Sequence, residues 1–143
     1  MNDVAEYRDR GGLVVTIGDG RALVLYDDAV DAYAAGRPSA LLIAQCLERV
    51  PMFALGRAYE ALVAGGPVPG WPPSAAGLTR RERQHLEIVG DAIMGSLERA
   101  GGLAREHLAE FPTDRLIAAI FVAEAWKGED SAGTVRRKRD PSV

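Results

Sequence analysis

Glu82 and His85 have the clearest potential for chemistry in this chain. Their E-x-x-H spacing places a carboxylate and an imidazole on one helix face, as in diiron bundle proteins. Such a centre needs a second pair and further glutamates. The only other histidine, His107, follows Glu106 and is not spaced as a partner, so Glu82 and His85 read as part of a solvated polar face. No nucleophile motif is present, because no G-x-S-x-G surrounds Ser39, Ser74, Ser96 or Ser131. Gly18 and Gly20 fit a turn, since no lysine or hydroxyl follows them as a phosphate-cradling loop requires. Cys46, the single cysteine, lies in an apolar run with Leu42, Ile43 and Leu47 and reads as a buried thiol. The expectation is a chain with no catalytic residues, no cofactor and no metal.

Two basic groups could meet phosphates: Arg80, Arg81 and Arg83, and the terminal run Arg136, Arg137, Lys138, Arg139. The stretch from Leu78 to Val89 resembles the first helix of response-regulator helix-turn-helix domains, which implies a nucleic-acid-associated regulator as the alternative reading. Those domains continue with a short glycine turn and a second helix. Here the pattern predicts one helix running on through Ile93 and Leu97. The net charge of -3 also opposes a whole-surface nucleic-acid binder. Glu82, Glu87 and Asp91 dilute the arginines on their own helix, so DNA binding is expected to be weak.

These residues must be held by a small body. The chain has 143 residues, 48% of them hydrophobic and 26% charged, which is the balance of an ordinary globular domain. That length suffices to bury about two thirds of the unfolded surface without disulfides. Residues 1–128 read as one domain and 129–143 as a basic disordered tail. No run approaches the roughly 18 apolar residues of a membrane span, and Met1 to Arg10 lack the apolar stretch of a signal peptide, so a cytoplasmic location with no membrane partner is expected.

Alternation from Leu13 to Ile17 and from Arg21 to Tyr26, around Gly18, Asp19 and Gly20, predicts a β-hairpin. Helical patterning follows. Asp27 and Asp28 are expected to cap a short helix ended by Gly36. Pro38 and Ser39 open a second helix to Val50, and a third runs from about Met52 to Ala64, where Gly65 and Gly66 stop it. The Pro-rich stretch 66–77 is a loop; Trp71 within it either pins the loop to the body or stands exposed as a contact residue. Thr79 and Glu82 form a capping-box pattern opening a long helix to about Ala100. Gly101 and Gly102 stop it, a short helix spans Leu103 to Phe111, and Pro112, Thr113 and Asp114 start the last one. The fold class is mainly α: an N-terminal hairpin packed on a compact bundle of five or six helices.

The order Tyr7 to Gly12, Leu13 to Ile17, Gly20, Leu23 to Leu25 resembles the start of small tail-assembly chaperones of phages and gene transfer agents. The segments Ala29 to Gly36, Ala40 to Val50 and Ala54 to Gly66 resemble the helices that follow in that family. The resemblance implies a non-enzymatic factor that binds another protein during assembly; a phage-encoded inhibitor of a host protein fits the same description. Leu116, Ile117, Ile120, Phe121 and Trp126 are apolar on more than one side of the last helix. That helix should be central or cover an interface, so these residues and Trp71 are the expected partner contacts, with another protein or a second copy of the chain as partner.

Overall fold

The computed structural model describes residues 6–121. Two short antiparallel strands, β1 (Tyr7–Arg8) and β2 (Val14–Val15), are followed by α1 (Gly20–Ala34), α2 (Ala40–Arg49), α3 (Ala54–Ala64), α4 (Arg80–Ile93) and α5 (Leu97–Glu110). A sixth helical segment, α6, covers 115–121. The mainly helical architecture with an N-terminal hairpin is as the sequence indicates; the hairpin's position is not.

The hairpin closes earlier. Tyr7 pairs with Val15 and Arg8 with Val14. The turn between them is built by Asp9, whose Oδ1 accepts from Gly11 N at 2.9 Å and Leu13 N at 3.0 Å, with Gly12 at φ +83°. The expected turn at Gly18 to Gly20 is instead a helix start: Asp19 is the N-cap of α1 and its Oδ1 accepts from Ala22 N at 3.0 Å. Arg21 to Tyr26, expected as the second strand, form the first turns of α1. Burial explains the choice, because Ala22, Leu23, Tyr26, Ala29 and Val30 recur at helical spacing and all are buried, whereas Leu25 is only half-buried. Asp27, expected as a cap, lies in mid-helix.

Helices α1 to α3 share one apolar centre. The Tyr26 ring meets Phe53 edge-on at 5.2 Å and Tyr59 at 6.3 Å between centroids. Ser39, the N-cap residue of α2, makes no capping bond with its side chain. Its hydroxyl goes to the Tyr59 hydroxyl, which donates to Ala29 O at 2.9 Å, tying three helices together in the interior. The α3 terminus forms as expected, with Gly65 in the left-handed region at φ +78°.

The capping box at Thr79 is present: Glu82 N donates to Thr79 Oγ1 at 3.2 Å and Thr79 N to Glu82 Oε1 at 2.9 Å. The long helix to Ala100 is not. It ends at Ile93, and Met94, Gly95 (φ +83°) and Ser96 make a turn into α5. Gly101 and Gly102, expected as terminators, lie inside α5. Each costs a helix about 1 kcal/mol relative to alanine, and packing of α5 on α4 outweighs that. The two helices lie antiparallel along their whole length: Arg99 reaches Glu87 and Asp91, Gln84 meets His107, and Arg80 pairs with Glu110. Among the described residues no helix is long and apolar enough to cross a membrane.

Candidate functional site

Two places in the molecule concentrate groups that could act. The first is a buried polar cluster where the hairpin, α4, α5 and the start of α6 converge. Asp114 is its centre and is 1% exposed. Its backbone oxygen accepts from Ala118 N at 3.0 Å and its Oδ1 from Ile117 N at 3.4 Å, so it caps α6. Its Oδ2 faces His107 Nε2 at 2.8 Å, His85 Nδ1 at 3.1 Å and Arg81 Nε at 3.2 Å. Arg81 also pairs with Asp9 of the hairpin turn. On the far side of the His107 ring, Nδ1 lies 2.7 Å from Gln84 Oε1. Burial alone would raise the Asp114 pKa; the charge at His85, the hydrogen bonds from His107 and His85, and Arg81 reverse this and hold the carboxyl well below the usual carboxylate range.

Glu82 and His85, expected on a solvated face, are both 0% exposed, and His107 is 2% exposed. Glu82 and His85 do not work as a pair: Glu82 turns to Thr16, accepting from its N at 2.7 Å and its Oγ1 at 2.6 Å, while His85 turns to Asp114. Among the described residues no group of histidine, cysteine and carboxylate side chains is arranged to hold a metal ion. His85 Nε2, Arg81 Nε and Arg81 Nη1 are buried without a hydrogen-bond partner among the described residues, so Arg81 Nε meets Asp114 as an ion pair only.

The second place is a groove of about 540 Å³ between the Pro-rich loop and the start of α3. Pro51, Met52, Ala54, Pro69, Pro72 and Leu78 give it apolar walls, and Met52 is 82% exposed. Its polar side chains are engaged within the chain. Thr16 Oγ1 donates to Glu82, Arg57 Nε donates to Pro51 O at 2.7 Å and Nη1 to Glu60 at 2.9 Å, and Ser74 Oγ accepts from Ala76 N at 3.2 Å.

The expected contact residues are distributed differently. Leu116, Ile117 and Ile120 are 1%, 0% and 2% exposed, so the core of the single chain takes up the apolar surface that suggested an interface. Phe121 is half-buried with the Arg105 guanidinium 5.8 Å from its centroid. Trp71 is half-buried against α4, with Cζ2 3.6 Å from where Gly90 would carry a Cβ, so it pins the loop. Arg81 is buried, Arg80 is paired with Glu110, and Arg83 Nη1 donates to Leu78 O at 2.6 Å. Trp126, Arg136, Arg137, Lys138 and Arg139 lie outside the described residues.

The glycine turn expected of helix-turn-helix domains does occur, at Gly95, contrary to the reading of one continuous helix. The antiparallel packing of α5 on α4 nevertheless differs from the 90–120° crossing of that motif. Compared with known proteins, the chain matches no family model, no curated protein and no solved structure. Sequence reasoning missed Asp114 as a hub and the groove altogether. The usable signals were the pair of histidines, the only two in the chain, and the four prolines around Trp71.

Proposed function

We propose that this chain is a non-enzymatic protein-interaction or assembly factor that holds an extended apolar segment of a partner in the groove beside α3. The groove carries the reading. Prolines give it rigid walls with no N–H of their own, Met52 offers a soft, adaptable and exposed side chain, and its volume lies within the roughly 300–1,000 Å³ of ligand sites. Its hydroxyls and guanidinium already serve internal bonds, which favours recognition by apolar contact over bond-making chemistry. The resemblance of the first 65 or so residues to tail-assembly chaperones supports a partner that is itself being assembled.

Selection from a displayed library of short random peptides tests this, with Met52→Asp as counter-target. Met52 is exposed, so the change leaves the core untouched. Peptides enriched by the native chain should be apolar and should lose binding to Met52→Asp at least tenfold. A library giving no clone that distinguishes the two proteins would overturn the assignment of the groove.

A further inference from the structure

We propose that the outer face of α2 docks a second copy of this chain, the two helices lying antiparallel across a two-fold axis with Leu41 of each against Ala44 of the other. The surface is independent of the groove, since none of its residues borders that cavity. Ile43, Cys46 and Leu47 turn one side of α2 to the core. The opposite stripe, Ala40, Leu41, Ala44, Gln45 and Glu48, recurs at helical spacing and is exposed throughout. Leu41 is 71% exposed, although a surface helix usually turns its leucines inward. Ala40 and Ala44 beside it carry only methyl groups, so the axis of another helix can come close.

Charge decides what covers this face. Arg37, just before α2, and Glu48, in its last turn, are both exposed, and neither forms an ion pair or side-chain hydrogen bond with a described residue. An interface across a two-fold axis uses the same patch on both copies, so each group must find its complement on its own surface. The register that seats Leu41 on the partner's Ala44 also sets Arg37 against the partner's Glu48, and the symmetry makes that pair twice. A parallel arrangement would oppose Arg37 to Arg37 and Glu48 to Glu48. The helix dipoles favour the same choice. A carboxylate is disfavoured at the end of its own helix, whereas in the antiparallel pair Glu48 comes beside the start of the partner's α2, where Ser39 gives its hydroxyl to Tyr59 and makes no side-chain cap.

The other exposed apolar residues lack such a complement. Val24 shares α1 with Asp28, which is already paired with Arg10, and Met94 and Leu97 flank a turn where Asp91 and Arg99 pair with each other. One face of a 10-residue helix is smaller than the ~800 Å² per partner of a standard interface. Association is therefore weak, with a dissociation constant on the order of tens of micromolar.

Sedimentation equilibrium of the full chain, from about 5 µM to about 500 µM, spans that range. The native chain should pass from monomer to dimer across it, and Leu41→Glu should stay monomeric throughout. Arg37→Glu and Glu48→Arg each set like charges together and should each raise the dissociation constant at least about fivefold at low salt, while the variant carrying both should return it to within about twofold of the native value. All three positions are exposed, so circular dichroism should show the helix content of every variant unchanged. A native chain that stays monomeric, a dimer that Leu41→Glu leaves intact, or a double variant that associates no better than the single ones would each overturn the proposal.

Discussion

The carbonyl oxygen of Thr113 occupies the space that a β-carbon on Gly11 would need. The hairpin turn and the residue before Asp114 therefore meet backbone to backbone, which lets Asp9 and Asp114 share Arg81. Gly11→Ala cannot be relieved by a side-chain rotation. It should destabilise the fold by about 1–3 kcal/mol, read as a lower urea midpoint. Gly101→Ala is the contrasting case. It lies inside α5 with nothing within 4 Å of the new carbon, and should stabilise by up to about 1 kcal/mol.

Asp114→Ala removes the shared acceptor of Arg81, His85 and His107 together with the α6 cap. Loss of one partner from a buried ionic cluster costs about 3–5 kcal/mol. Thermal unfolding should show a loss well above that of any single surface charge, such as Arg99→Ala.

Acid should act through the same carboxylate. The Asp114 pKa is depressed in the folded state, so its contribution is complete above the unfolded-state value of about 3.9 and is lost progressively as pH falls below it. Asp27 works in the opposite direction: burial raises its pKa despite the nearby Arg10 and Arg115. Circular dichroism should show helix content falling on acidification below about pH 4 in the native chain, whereas Asp27→Asn should be tolerated at neutral pH.

What the sequence disclosed follows the range of the interactions. Local signals were legible: the Thr79–Glu82 capping box, the α3 stop at Gly65, and the loop forced by prolines 67 to 73. The hairpin was misplaced because Leu23 and Leu25, alternating beyond Gly20, fit a strand as well as the first turns of a helix, and only the burial of Ala22, Tyr26 and Ala29 separates the two. The polar hub was invisible for a different reason. Asp9 and Arg81 are 72 positions apart, and His85 and Asp114 are 29 apart. On a helical wheel Arg81 and His85 count as water-facing residues until their buried counter-charge is known.

Glu82 should prove more important than its capping role. Thr79→Ala removes one capping bond and should cost about 1 kcal/mol. Glu82→Ala removes the reciprocal cap and both bonds to Thr16, and leaves the Thr16 and Thr79 N–H groups without their carboxylate acceptor. It should cost more than Thr79→Ala, and the double variant should lose less than the two single losses added, because both act on one network.

DNA binding separates the proposed function from the regulator reading. A phosphate-binding surface on α4 would need Arg80, Arg81 and Arg83 free and turned outward together. Arg81 is buried in the Asp9–Asp114 cluster, the Arg80 guanidinium is paired with Glu110, and Arg83 donates to the Leu78 carbonyl. Glu82 and Glu87 lie on the same helix, so little positive field extends from it. Binding to mixed-sequence duplex DNA should then be no tighter than about micromolar at physiological salt and should weaken steeply as salt rises. Arg80→Ala with Arg83→Ala should change it less than twofold, while removal of 131–143, with its four consecutive basic residues, should abolish most of what remains. Fluorescence anisotropy on a labelled duplex measures all three proteins. Nanomolar, sequence-selective binding that disappears with Arg80 and Arg83 would put the regulator reading in place of the interaction factor.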